Sequence, residues 1–192
     1  MNDTRSYSMT TRSAASEATG RRIVDAATEL FLAQAYADVT LATIAKAAGV
    51  SHQTVLNHFG TKAGVVAAVA ATMGDRTTSA RRADPGDLAG AVHALVGEYE
   101  RMGDANVRWA VEDIPELAPH LAAGRASHQE WLATVFAADL PDDPDARRRT
   151  VHALHAATDV FTWKLLRRDL GLDRDQTEST IARLVAGVLQ GD

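Results

Sequence analysis

A chain of 192 residues has room for one large domain or two small ones. Its 46% hydrophobic and 23% charged residues are ordinary for a globular chain, and the absence of Cys excludes a disulfide framework and any thiolate metal site. The net charge of −5 argues against a nucleic-acid partner only as an average: Val39 to Gly74 holds no Asp or Glu, where an even spread would place about five.

Residues 1–16 are polar, Ser/Thr-rich and lack the apolar segment of a signal peptide, so they are expected to form a flexible tail. Arg5 and Arg12 lie within it. No apolar run approaches the roughly 20 residues that cross a bilayer, and a cytoplasmic chain with no membrane partner is expected. The first helix is expected from about Ala18 to Gln34, with Ile23, Ala26, Ala27, Leu30, Phe31 and Gln34 on one face of a 3.6-residue period. Thr40 then suits the N-cap of a second helix, Leu41 to Ala48, whose Leu41, Ile44, Ala45 and Ala48 share a face. Gly49 ends it and Val50 plugs the turn. Ser51 caps a third helix, about His52 to His58, that turns Val55 and Phe59 to the core. Thr61 can cap a fourth helix, which runs to about Ser79. Pro85-Gly86 marks a break. Further helices are expected over Leu88–Met102, Asn106–Asp113, Pro115–Leu140, Pro144–Leu170 and Asp173–Leu189, with Pro141 to Pro144 as a loop and Gly171 as a stop. No strand alternation and no repeat is visible.

The stretch Ala47-Ala48-Gly49-Val50-Ser51, between two short helices, has the signature of a helix-turn-helix. Small Ala45 and Ala48 let the helices cross closely, Gly49 permits the tight turn and Val50 buries beneath it. The third helix then presents its N-terminal residues outward, where they can enter a major groove.

The residues that carry this motif resemble the TetR family of one-component repressors. They read Arg22-Ile-Val-Asp-Ala-Ala-Thr-Glu-Leu-Phe31, Ala35-Tyr36, Thr40-Leu-Ala-Thr-Ile-Ala-Lys-Ala-Ala-Gly-Val-Ser51, Thr54, His58-Phe59 and Lys62, about a quarter of the chain. The pattern departs from the family at Ala35, where Gly is usual, at Thr43, where an acidic residue would complete a capping box, at Leu56, where a phosphate-contacting Tyr is common, and at Asn57, where another aromatic is common. The resemblance implies an all-α fold: residues 17–62 as a three-helix helix-turn-helix domain, joined by a fourth helix to a larger helical effector-binding and dimerisation domain over 63–192.

The same resemblance implies the contacts. Ser51, His52, Gln53 and Thr54 open the reading helix, where Gln can pair with adenine and a Thr methyl can touch thymine. Thr54, His58 and Lys62 are implied phosphate contacts, Thr40 and Thr43 cap and touch the backbone, and Asn57 is a polar substitute beside Leu56. The expected partners are double-stranded operator DNA, a second copy of the chain and a small-molecule effector. Dimerisation is expected through the last two helices, with Val151, Leu154, His155, Thr158, Phe161 and Leu165 on one stripe and Ile181, Leu184, Val185, Val188 and Leu189 on the other. Candidate effector-binding residues are His93, Met102, Trp109, Trp131, Phe136, His155, Asp159 and Trp163, bulky or polar side chains inside apolar helices. No cofactor and no metal is expected, since His152 and His155 lack a carboxylate partner on their turn.

The function expected is a ligand-released repressor on a palindromic operator. An activator of the same fold and a helical interaction protein without DNA binding are the alternatives. An enzyme is disfavoured: no G-x-S-x-G, phosphate-binding loop, H-E-x-x-H or Cys/His pair is present.

Overall fold

The structure, a computed structural model, describes residues 3–112 and 114–191, with side chains from residue 13 onward. Among the described residues all regular structure is helical, as the sequence leads one to expect. The elements are α1 (Asp3–Ala33), a 3-10 turn (Tyr36–Asp38), α2 (Leu41–Ala48), α3 (His52–Phe59), α4 (Lys62–Ala80), α5 (Leu88–Val111), α6 (Ala118–Val135), α7 (Pro144–Thr158), α8 (Val160–Lys164), a π-helical turn (Leu165–Asp169) and α9 (Arg174–Leu189). The chain divides into two compact units, one up to Thr72 and one from Met73 on, and α4 contributes residues to both. None of the described helices is long and apolar enough to cross a membrane.

The first unit is built on the expected apolar faces. Ile23, Ala27 and Phe31 of α1, Val39, Ile44 and Ala45 around α2, Val55 of α3 and Val65, Val66 and Val69 of α4 are all buried. Phe31 also stacks on Tyr36 at 5.8 Å between ring centroids, which anchors the 3-10 turn to α1. The helix α1 begins at Asp3, well before the Ala18 start expected from periodicity. Residues 3–19 contain no Gly or Pro to stop it. The visible part of the extension is held by one-turn contacts, Ser13 to Glu17 at 3.1 Å and Glu17 to Arg21 at 4.0 Å. The side chains of Arg5 and Arg12 lie outside the described residues.

The second unit departs from the expected boundaries in three places. Leu88 to Val111 is one helix rather than two. Gly103 does not break it, because Gly in a helix costs only about 1 kcal/mol relative to Ala and Tyr99, Ala105 and Trp109 continue a buried face across it. Gly103 is there for packing: a Cβ would sit 2.4 Å from the Trp163 indole. The helix α6 covers Ala118–Val135 rather than Pro115–Leu140. It ends where the Val135 carbonyl accepts the Gly86 N–H at 2.8 Å, and Leu140 joins the core from the loop beyond.

The expected helix Pro144–Leu170 is interrupted at Asp159, whose ψ of 153° is extended. Asp159 caps α8 by accepting the Phe161 N–H at 2.8 Å, while the Thr162 hydroxyl takes the Ala156 carbonyl at 2.6 Å. The π turn follows, closed by the Leu170 N–H on the Leu165 carbonyl at 2.9 Å, and Gly171 leaves it at φ 70°. Arg167 forks onto both Glu100 oxygens at 2.7 and 3.0 Å and ties this turn to α5. The two expected dimer stripes do not each face one way: the interruption at Asp159 divides the first, and the second splits between two sides of α9. Leu154, Ile181 and Val185 are buried inside the unit, whereas Phe161, Leu165 and Leu184 are 45%, 49% and 44% exposed.

Candidate nucleic-acid interface

The α2–turn–α3 segment is held by short-range bonds that its residue types dictate. The Thr40 hydroxyl accepts the Thr43 N–H at 3.1 Å, and the Thr43 hydroxyl accepts the Thr40 N–H at 2.9 Å. The capping box is therefore complete: Thr43 supplies with its hydroxyl the return bond that the sequence reading gave only to an acidic residue. At the other end Gly49 sits at φ 65°, with its N–H on the Lys46 carbonyl at 3.3 Å and the Val50 N–H on the Ala45 carbonyl at 3.0 Å. That pair of bonds closes the helix with a left-handed residue only Gly adopts cheaply. Ser51 starts α3 at once, its hydroxyl accepting the Thr54 N–H at 3.1 Å.

The expected contact residues divide by exposure. Ser51, His52, Gln53 and Asn57 are exposed along the start and outer side of α3, and Thr40 and Thr43 are exposed at the start of α2. Thr54 and His58 are half-buried: the Thr54 hydroxyl bonds Ser51 Oγ at 2.8 Å, and the His58 ring lies against Gly20 of α1, 3.6 Å from where a Cβ would stand. Lys62 has an internal role the sequence did not suggest. Its ammonium donates to the Tyr36 carbonyl and lies 3.7 Å from the centre of the Tyr36 ring, clasping the 3-10 turn to the start of α4. Leu56 is half-buried where the family commonly has a tyrosine. The whole surface from Val39 to Gly74 is without a carboxylate side chain, so nothing on it repels a phosphate.

The candidate effector residues of the second unit do not form one group. His93 is on the surface, paired with Glu178 at 3.2 Å with its side chain 67% exposed. Met102 is half-buried on α5. Phe136 and Trp109 are core. Trp163 is fully buried and donates its indole N–H to Glu100 at 3.0 Å. Trp131, His155 and Asp159 do come together, around a buried polar cluster that sequence reasoning missed. Its centre is Arg81 paired with Glu98, both nearly fully buried. Thr77 donates to the other Glu98 oxygen at 2.9 Å, and Trp131 donates to the Arg81 carbonyl at 2.8 Å. Arg81 also donates to His128 Nδ1, which leaves Nε2 to carry the ring proton and donate to the Thr158 hydroxyl at 2.8 Å. Thr158 passes its own proton to the Leu154 carbonyl at 2.7 Å, and its carbonyl accepts the Tyr99 hydroxyl at 3.1 Å. The His155 ring meets His128 edge-on at 4.8 Å, and His155 reaches Asp159 at 3.3 Å. The only hint in the sequence is Glu98, a carboxylate inside the apolar run Leu95, Val96, Tyr99; Arg81 stands in a polar stretch that reads as loop.

Burial, then the Arg81 cation and the His155 ring, push His128 down to about 3, with Asp159 acting in the opposite sense. The group is neutral when folded and takes up a proton near pH 6.5 when unfolded. Its unfolded form thus binds more protons between about pH 6.5 and pH 3, so stability is full above that window and is lost as pH falls through it. Between about pH 7.5 and pH 5 this amounts to about 2 kcal/mol. Denaturant titration followed by tryptophan fluorescence should show that slope in the native chain and a clearly smaller one in His128→Gln.

Three comparisons with known proteins bear on this geometry. The family description of bacterial regulatory proteins of the tetR family matches residues 23–69. The HTH-type transcriptional regulator SrpR of Pseudomonas putida is 48% identical over 59 residues, 31% of this chain and 28% of that protein. The HTH-type transcriptional regulator AlkX of Mycobacterium tuberculosis is 37% identical over 54 residues, 28% of this chain and 26% of that protein. Both alignments thus span under a third of the curated relative. Among solved structures, a transcriptional regulator from Rhodococcus sp. Rha1 superposes with a TM-score of 0.70 at 21% identity, covering 89% of this chain and 96% of that one. NalD, the secondary repressor of the MexAB-OprM multidrug efflux pump of Pseudomonas aeruginosa, superposes with a TM-score of 0.61 at 25% identity, covering 91% and 97%.

Proposed function

Since this chain belongs to the TetR family of transcriptional regulators, which are DNA-binding proteins rather than enzymes, we propose that it is a repressor that binds a palindromic operator as a homodimer and leaves it when a small molecule binds the second unit. The observation that carries the reading is the exposed, carboxylate-free start of α3. Gln53 is assigned to a base edge, with Ser51, His52 and Asn57 exposed beside it, and Thr40, Thr43, Thr54, His58 and Lys62 are assigned to the phosphates. An ammonium has three donors, so the bond from Lys62 to Tyr36 does not by itself consume it.

One eight-residue helix reads too few base pairs to address a unique site, and two copies about 34–36 Å apart read a palindrome. The outward apolar side chains Phe161, Leu165 and Leu184 support a second copy of the chain as their cover. Trp131, His155 and Asp159, beside the Arg81–Glu98 pair, are the side chains assigned to the effector. Release is a population shift, in which the effector binds the DNA-incompetent arrangement more tightly. The fold likeness to NalD, itself a repressor, supports repression. A cytoplasmic location follows from the same reading. Native mass measurement of the chain on a selected duplex tests it: two chains per duplex are expected, and one chain per duplex refutes the dimeric reader.

A further inference from the structure

Gln53 and Asn57 lie one turn apart on the exposed side of α3, and the Gln53 amide nitrogen donates to Asn57 Oδ1 at 2.9 Å. This bond gives the Gln53 side chain a direction. An amide that spends one N–H on a neighbour still presents its carbonyl oxygen and its second N–H. Turning that amide over alone would set the Gln53 Oε1 against the Asn57 Oδ1, two acceptors face to face, and the bond returns only if the Asn57 amide turns with it. The neighbouring hydroxyls of Ser51 and Thr54 bond each other at 2.8 Å. An acceptor and a donor side by side match N6–H and N7 of adenine in the major groove, whereas guanine presents two acceptors there, O6 and N7.

We propose that Asn57 is a specificity-determining positioning residue, which holds the Gln53 amide in one orientation and so makes α3 select adenine over guanine at the step Gln53 meets in each half-site. The inference rests on the DNA-reading function proposed above. It also gives the polar residue next to Leu56 a use, since a phenylalanine at position 57 would provide no such acceptor.

The test uses the full chain and two variants. Asn57→Leu has about the size of Asn without an acceptor. Asn57→Asp keeps the acceptor and adds a negative charge. The unaltered chain selects duplexes from a random pool, and affinities of all three proteins are then measured on the selected duplex with A·T or G·C at each half-site position. The unaltered chain should prefer A·T at one position per half-site. Asn57→Leu should lower that preference by about tenfold or more, while Asn57→Asp should keep it and bind every duplex more weakly. A purely structural Asn57 would weaken binding without changing the preference. The proposal is overturned if the preference survives in Asn57→Leu or is lost equally in both variants while the unaltered chain still enriches one sequence. If the unaltered chain enriches no sequence, the DNA-reading function falls first and this inference with it.

Discussion

Arg81→Met should destabilise the second unit by about 3–5 kcal/mol, the usual effect of removing one partner from a buried ion pair. The loss has two physical parts. Glu98 remains, 2% exposed, with Thr77 on one oxygen and nothing to balance its charge. His128 Nδ1 loses its donor within a buried cluster. The backbone bond from Trp131 to the Arg81 carbonyl is unaffected, so the effect belongs to the side chain. Removing the second charge as well, in Arg81→Met with Glu98→Leu, should recover most of the stability, because two apolar groups leave no buried ion unpaired. All three tryptophans, Trp109, Trp131 and Trp163, lie in this unit, so fluorescence during denaturant unfolding reports on it alone. A single variant within about 1 kcal/mol of the parent would mean that Glu98 is neutral or hydrated in the folded chain, against the buried pair described above.

Gln53→Ala should weaken operator binding by about 30-fold to about 10⁴-fold, without altering the fold. The estimate follows from about 1–3 kcal/mol for a bidentate base contact, counted once in each of two half-sites. Gln53 is exposed and its amide bonds the exposed Asn57 at 2.9 Å, so its loss leaves the core untouched. The dependence of binding on salt should stay the same, because the phosphate contacts remain. Fluorescence anisotropy on a selected duplex and on an unrelated one separates the two effects. Equal weakening on both duplexes would assign Gln53 to the phosphates instead of the bases.

The first unit was legible because its determinants are local. Thr40, Gly49 and Ser51 act within one turn of where they stand, so their sequence spacing is already their geometry. Even there Thr43 was misjudged, since a hydroxyl at the third helical position can return the capping bond that a longer carboxylate usually makes. The second unit was less legible because its breaks are set by tertiary partners. Asp159 sits in an amphipathic run that reads as one helix. What interrupts that run is visible only in space, where His128 and Tyr99 take the Thr158 hydroxyl and carbonyl. The Arg81–Glu98–His128 cluster draws on three separate stretches of chain, and no window of sequence contains it. The helical extension of α1 back to Asp3 was missed for a different reason. Its residues have no apolar period, so only the absence of Gly and Pro marked it.

Selection of duplexes from a random pool by the unaltered, ligand-stripped chain, at about 50 mM and about 200 mM salt, tests the central claim most directly. The account expects one palindromic sequence, with half-sites about one helical turn apart, and an affinity that falls about a thousandfold or more between the two salts. Enrichment of no sequence at either salt would contradict it, and the carboxylate-free face of α2 and α3 would then need another partner.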